Sequence, residues 1–259
     1  MKPEKADGNF AWAQATRYVS TYSDGLPPPS LFAKAIAEAL PVQSSTRLLD
    51  IGCGSGVVGL YALVSRGAQF VTFNDIQPEA IAETQRNVEW HVAEGRLRHA
   101  QVAYRVGPLE SLIPELVSQH NLIAFNPPQY PCAFADEEEL LQIRKKGTES
   151  VFRLGGDDGL KLVRTFLRWL GSLEPHPPKT IILLSSFLSR SRIEALFRAN
   201  GFGFTRAVEI AAPLRPSLMK AAESFSPDEQ ADRALIKVNG QWQKQLWAFE
   251  LQRLRSSPQ

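Results

Sequence analysis

The sequence predicts an α/β fold: a doubly wound, seven-stranded sheet, mostly parallel, ending in an antiparallel C-terminal hairpin and preceded by a short helical N-terminal segment. Three observations predict it. Runs rich in Val, Ile, Leu and Phe alternate with segments whose apolar residues recur at helical spacing. Asn121–Phe125 and Thr180–Ser185 are apolar almost throughout, as strands covered on both faces are. Near the end, Asn239-Gly240 parts two extended stretches, a strong hairpin signal.

The elements follow in order. Residues 1–29 are rich in aromatics and end in Pro27-Pro28-Pro29, which stops any preceding helix. From Ser30, a suitable cap, a helix puts Leu31, Phe32, Ala35, Ile36, Ala39 and Leu40 on one face and ends at Pro41. Arg47–Ile51 reads as a strand, Gly56–Ser65 as a helix, Gln69–Asp75 as a strand and Pro78–His91 as a helix with proline in its first turn. Gln101–Val106 and Asn121–Phe125 read as the next strands. The helix Asp158–Leu170 turns Leu160, Val163, Phe166, Leu167 and Leu170 inward and leads to the strand Thr180–Ser185. Another helix covers about Ser191–Asn200, with Gly201 as a left-handed cap. Ala234–Val238 and Gln241–Leu251 form the hairpin. The stretch 212–233 before it reads as a long connection, a flap bearing Arg215 and Lys220. The expected organisation is an N-terminal lid or cap, 1–29, and one ligand-binding domain, 30–259.

Composition narrows the function. With 29 Lys+Arg against 27 Asp+Glu, the net charge of +2 lacks the basic excess of a phosphate-tracking surface, so nucleic acid is not the expected partner. Two cysteines, Cys53 and Cys132, make neither a disulfide framework nor a zinc site, and a reducing, cytoplasmic setting is expected. His91, His99, His120 and His176 match no ligand spacing, and no metal is expected. No apolar run approaches the roughly 20 residues that span a bilayer.

In a doubly wound sheet, ligands bind at the carboxyl ends of the strands. Three loops there carry chemistry. In Asp50-Ile51-Gly52-Cys53-Gly54-Ser55-Gly56-Val57 the glycines let backbone N–H groups and a helix N-terminus approach a ligand. Val57 stands where a dinucleotide fingerprint needs glycine, which disfavours nicotinamide and flavin cofactors. Asp75, 21 residues after Gly54, ends the second strand and can accept hydrogen bonds from both ribose hydroxyls; Ile76 follows it. Asn126-Pro127-Pro128-Gln129-Tyr130-Pro131 is acceptor-rich, since its prolines fix outward carbonyls and Asn126 adds an amide, and it suits a planar N–H-bearing group.

Together, the glycine loop, Asp75 and Asn126-Pro127-Pro128 resemble the class I S-adenosylmethionine-dependent methyltransferases, a Rossmann-like superfamily, over about residues 30–251. The subgroup with an Asn-Pro-Pro-Tyr motif is most similar. Leu154-Gly155-Gly156-Asp157-Asp158-Gly159-Leu160 resembles the segment that opens the next helix in release-factor glutamine methyltransferases. The resemblance implies S-adenosylmethionine as cofactor. It places Gly52, Gly54 and Gly56 at the cofactor's amino-acid end, Asp50 at its ammonium and Asp75 at its ribose, with Cys53, Ser55, Ile76 and Leu109 also expected to line the cofactor. Asn126 faces the reacting nitrogen and borders the cofactor, with Pro127 and Tyr130 as its catalytic companions. The chain departs from the pattern at three points: Gln129 holds the subgroup's aromatic position with Tyr130 one place later, Pro108 replaces an acid that Glu110 could supply, and 46 residues precede Arg47, short for a helical recognition domain.

These features lead to an expected N-methyltransferase with a small-molecule acceptor; a protein substrate is not favoured. A second reading is an azetidine-2-carboxylate synthase, similar in fold, in which the α-amino nitrogen of S-adenosylmethionine closes onto its own γ-carbon and methylthioadenosine leaves. There, Asn126, Tyr130, Ser185 and Ser186 would take the amine's protons and Trp12, Tyr18 and Tyr22 would form a lid. A third is a nucleoside-binding module without catalysis.

Overall fold

The computed structural model describes residues 31–97, 101–135, 154–173 and 177–254, together with 137, 140, 141 and 145. The lid expected over 1–29, with Trp12, Tyr18 and Tyr22, lies outside these residues, as do His99 and His176.

Sixteen elements are used below: α1 (Leu31–Ala39), β1 (Arg47–Ile51), α2 (Val57–Arg66), β2 (Phe70–Asp75), α3 (Pro78–Ala93), β3 (Gln101–Val106), α4 (Pro114–Val117), β4 (Leu122–Phe125), α5 (Lys161–Ser172), β5 (Lys179–Ser185), α6 (Arg190–Ala199), β6 (Phe202–Pro213), α7 (Pro216–Ser224), α8 (Pro227–Asp232), β7 (Ile236–Val238) and β8 (Gln241–Arg253). The strand order is β3-β2-β1-β4-β5-β8-β6, with β7 paired to β8. The parallel sheet and antiparallel C-terminal strands are those the sequence predicts, with eight strands among the described residues where the sequence suggests seven. No described helix is long and apolar enough to cross a membrane.

The described chain divides into two units. The first holds the residues up to Asn126 and those of 177–182. Its strands β3, β2, β1, β4 and the start of β5 are all parallel. Leu48, Leu49, Val71, Phe73, Ile123 and Ala124 have no exposed surface, so these strands are apolar on both faces. Burying each larger side chain contributes about 1.5–3 kcal/mol. His91 and His120 are core residues, and His120 Nε2 lies 2.8 Å from Thr72 Oγ1. Register fixes where the loops emerge: Ile51 pairs with both Asn74 and Phe125, and Asp75 with Val106. Gly52, Ile76, Gly107 and Asn126 therefore leave the sheet along one edge.

The second unit holds residues 127–173 and 183–254 of those described. Its long pair, β6 and β8, runs antiparallel with a bulge between Arg206 and Val208. Phe197 on α6, Phe204 on β6 and Phe249 on β8 meet with ring centroids 5.3–5.5 Å apart. The stretch expected to be a loose flap is mostly helical. α7 buries Leu218, Ala221 and Ala222, at helical spacing, and α8 opens with a capping box between Ser226 and Glu229.

Candidate active site

β1 delivers the chain into the glycine loop with Cys53 N–H donating to the Asn74 carbonyl at 2.9 Å. Two of the glycines are required for different reasons. Gly54 has φ 55°, and a Cβ there would meet nothing within 4 Å, so its side is open toward a ligand. Gly56 has φ 80°, and its Cβ would fall 2.6 Å from Thr84 Cγ2, so glycine is what lets α3 pack on the loop. α2 then begins with no side-chain cap and no acid in its first turn. In its first turn the Gly59 N–H is taken by Asp50, which leaves the N–H groups before it as donors suited to an anionic group. Cys53 and Ser55 are buried in the loop, and burial pushes the Cys53 thiol well above its ordinary range, helped by the charges of Asp50 and Asp75.

Asp50 is 3% exposed, and its Oδ2 accepts the Gly59 N–H at 2.9 Å. Burial raises its pKa to about 7; the Gly59 bond opposes the rise and the charge of Asp75 adds to it. Asp75 accepts Gly54 N–H on Oδ2 at 2.9 Å and Gln77 N–H on Oδ1 at 3.0 Å. Its pKa is also raised by burial, against the pull of those bonds. Each oxygen keeps a second lone pair for a hydroxyl donor. Two carboxylates in so dry a setting favour a ligand that brings positive charge.

The neighbouring loops complete an apolar flank. Ile76 is 65% exposed although its side chain is aliphatic, and Leu109 opens a short 3₁₀ turn. Asn74 Nδ2 donates to the Gly107 carbonyl at 3.1 Å, and Gly107 N–H donates to the Asp75 carbonyl at 2.9 Å, which ties the loops after β2 and β3 together. Glu110 is exposed on that turn.

Asn126, half-buried, follows β4 directly. The first unit thus gathers Asp50, Gly52, Cys53, Gly54, Ser55, Gly56, Asp75, Ile76, Leu109 and Asn126 at the carboxyl ends of its parallel strands and on the loops that follow them. That donor set fits S-adenosylmethionine: a helix N-terminus would suit its carboxylate, the buried Asp50 its ammonium, the partly buried Asp75 its ribose, and aliphatic side chains its adenine.

Pro127 and Tyr130 belong to the second unit. There the proline loop is anchored on both sides. Gln129 is 3% exposed; its Oε1 accepts Ser185 N–H at 2.5 Å, and its Nε2 donates to the carbonyls of Leu183 at 3.1 Å and Pro127 at 3.3 Å. Gly155 N–H donates to the Tyr130 carbonyl at 2.8 Å, and a Cβ on Gly155 would lie 2.7 Å from the Pro128 carbonyl oxygen. Tyr130 receives a 2.5 Å hydrogen bond from Lys244 Nζ, and Arg215 stands 5.3 Å from its ring centroid. Lys244 is 1% exposed, and burial, with the charge of Arg215, lowers its pKa to about 7.

Several residues of evident consequence carry no sequence signal for a role. Thr84 Oγ1 donates to the Gly54 carbonyl and Asn87 Nδ2 to the Ser55 carbonyl, both at 2.9 Å, so α3 holds the glycine loop from behind. Their spacing of three on the buried face of α3 is the only trace in the sequence. Asn74 leaves none.

Several known proteins are similar to this chain. Residues 32–133 match the methyltransferase small domain. Ribosomal RNA large subunit methyltransferase G of Aeromonas salmonicida is 37% identical over 62 residues, 24% of this chain and 16% of that protein. Ribosomal protein L11 methyltransferase of Chromohalobacter salexigens is 32% identical over 109 residues, 37% of this chain and 36% of that protein. The chain therefore spans well under two thirds of these relatives. The YcgJ protein of Bacillus subtilis has the same fold, with TM-score 0.51, 12% identity, and coverage of 87% of this chain and 99% of that one. The fold is thus that of YcgJ, and the matched domain, residues 32–133, is similar to the methyltransferase small domain.

Proposed function

We propose that this chain is an S-adenosylmethionine-dependent methyltransferase that methylates a nitrogen atom, and that the nitrogen belongs to a ribosomal component. The observation that carries the nitrogen is the acceptor-rich proline loop: Pro127 and Pro128 have no N–H, and Asn126 stands at the end of β4, level with the point at which the glycine loop leaves β1. The ribosomal acceptor is supported by the names of the two relatives, one acting on ribosomal RNA and one on a ribosomal protein. The small-molecule acceptor expected from the charge balance has no counterpart in them, and neither cofactor cyclisation nor binding without catalysis gains support.

When bound, S-adenosylmethionine supplies a methyl group already activated on a sulfonium. The protein's part is alignment and exclusion of water. The N-terminus of α2 receives the carboxylate, Asp50 the ammonium and Asp75 the ribose hydroxyls. Asn126 Oδ1 and the Pro127 carbonyl accept the N–H groups of the acceptor, which turns its lone pair toward the methyl carbon.

The test is transfer of a tritiated methyl group to ribosomal subunits from cells of the same source lacking the gene, with a low-molecular-weight extract as a parallel acceptor. Label should enter the ribosomal fraction on nitrogen. Asn126→Ala should lower kcat about 10- to 100-fold while changing cofactor Kd only a few-fold, as loss of an acceptor for one substrate donor implies. Label confined to the extract, or methylthioadenosine formed without an acceptor, overturns the reading.

A further inference from the structure

Gln129 is a buried polar side chain in a place where an aliphatic one would fill the space without needing hydrogen bonds. A buried amide is tolerated only when its donors and acceptor are satisfied. Here all of its described bonds go to backbone: Ser185 N–H, the Leu183 carbonyl and the Pro127 carbonyl. The reason lies in the loop's composition. With no N–H at Pro127 or Pro128, the loop cannot be pinned to β5 through its own backbone there. Gln129 supplies the missing donors, and the turn around Gly155 presses on the loop's other side, where a Cβ would lie 2.8 Å from Gln129 Cα.

We propose that Gln129 is a positioning residue for methyl transfer: its carboxamide clips the Pro127 carbonyl to Leu183 and Ser185 of β5 and so sets the direction in which that carbonyl meets the acceptor's N–H. This rests on the reading of Asn126 and Pro127 as the acceptor-binding pair. A carbonyl oxygen has two lone pairs; Gln129 holds one and leaves the other for substrate. The side chain therefore acts through Pro127 and touches neither substrate nor cofactor.

Two variants test it, Gln129→Met, which keeps the volume and removes the hydrogen bonds, and Gln129→Glu. A protonated glutamic acid can accept from Ser185 N–H and still donate one bond to a carbonyl, whereas its carboxylate faces two carbonyl oxygens that repel it. The acid's pKa is then raised, so Gln129→Glu should regain activity relative to wild type as pH falls from 8 to 5.5. Expected for Gln129→Met are a loss of kcat on ribosomal subunits of about 10-fold or more, unchanged Kd for S-adenosylhomocysteine by calorimetry, and faster amide hydrogen exchange in peptides covering 127–131 and 183–186. If wild type labels ribosomal subunits but Gln129→Met keeps full kcat, or Gln129→Glu follows the wild-type pH profile, the positioning role is overturned and the proposed function stands. If wild type labels no nitrogen in the subunits, both fall. Faster exchange at 183–186 with kcat unchanged assigns Gln129 to structure alone and overturns the proposal.

Discussion

Burial of Asp50 costs the folded chain stability, and the cost is measurable through its pH dependence. Its pKa rises from an ordinary 3.8 to about 7, chiefly because the side chain is buried. At about 1.4 kcal/mol per pH unit, the ionised form costs the folded state about 4 kcal/mol. The sign follows from proton counts. Between pH 3.8 and about 7 the folded protein holds a proton on Asp50 that the unfolded chain has lost, so stability falls as pH rises through that window. Of the total, about 2.5 kcal/mol is lost between pH 5 and pH 8.

Asp50→Asn removes this dependence while leaving an oxygen to accept the Gly59 N–H. Without ligand, its advantage over wild type should therefore grow by about 2.5 kcal/mol from pH 5 to pH 8, roughly 5–10 °C in Tm for a chain of this size. Calorimetry should show the opposite for binding. S-adenosylhomocysteine, which carries the amino-acid ammonium, should bind the variant about 10- to 100-fold more weakly, the loss of one charged hydrogen bond. Methylthioadenosine, which lacks that group, should bind both proteins alike. A Tm difference that does not change with pH would refute the burial argument. Equal weakening of both ligands would refute the assignment of Asp50 to the ammonium.

Gly56→Ala should destabilise by about 2–4 kcal/mol, combining the left-handed backbone with overlap on Thr84; in urea unfolding, the double variant with Thr84→Ala should lose less than the two single losses added together. Lys244→Met should stabilise at pH 6 by a few kcal/mol, order of magnitude, and much less at pH 9.5. Its pKa is lowered to about 7 from 10.5, so the folded state holds fewer protons than the unfolded chain across that range, and wild-type stability rises with pH there. A pH-independent difference in denaturant midpoint would contradict it.

What was legible in the sequence is what short-range chemistry determines. β1, β4 and β5 are apolar because both faces are covered, and Gly54 and Gly56 are glycine because the turn and α3 leave no alternative. The loop after each strand could therefore be assigned before any coordinate. β6 escaped because Gly203 and the bulge at Arg206/Val208 break the two-residue alternation, and an edge strand with much of its surface exposed lacks the apolar run that marks an inner one. α7 escaped because it is short and begins at Pro216, though Leu218, Ala221 and Ala222 do fall at helical spacing.

The polar interior was illegible for a different reason: its residues are of types that normally face water, and only their partners reveal otherwise. Lys244 sits on β8 two residues before Leu246 and four before Ala248, on the buried face by alternation alone. Composition argues against placing a lysine there, and alternation argues for it. Gln129 poses the same conflict. Beside two prolines it reads as part of an exposed turn, yet the prolines are the reason it is buried, because they remove the backbone donors that would otherwise hold the loop. Pro127-Pro128 and the inward glutamine form one device, and changing either proline to a residue with an N–H would relax the need for the amide.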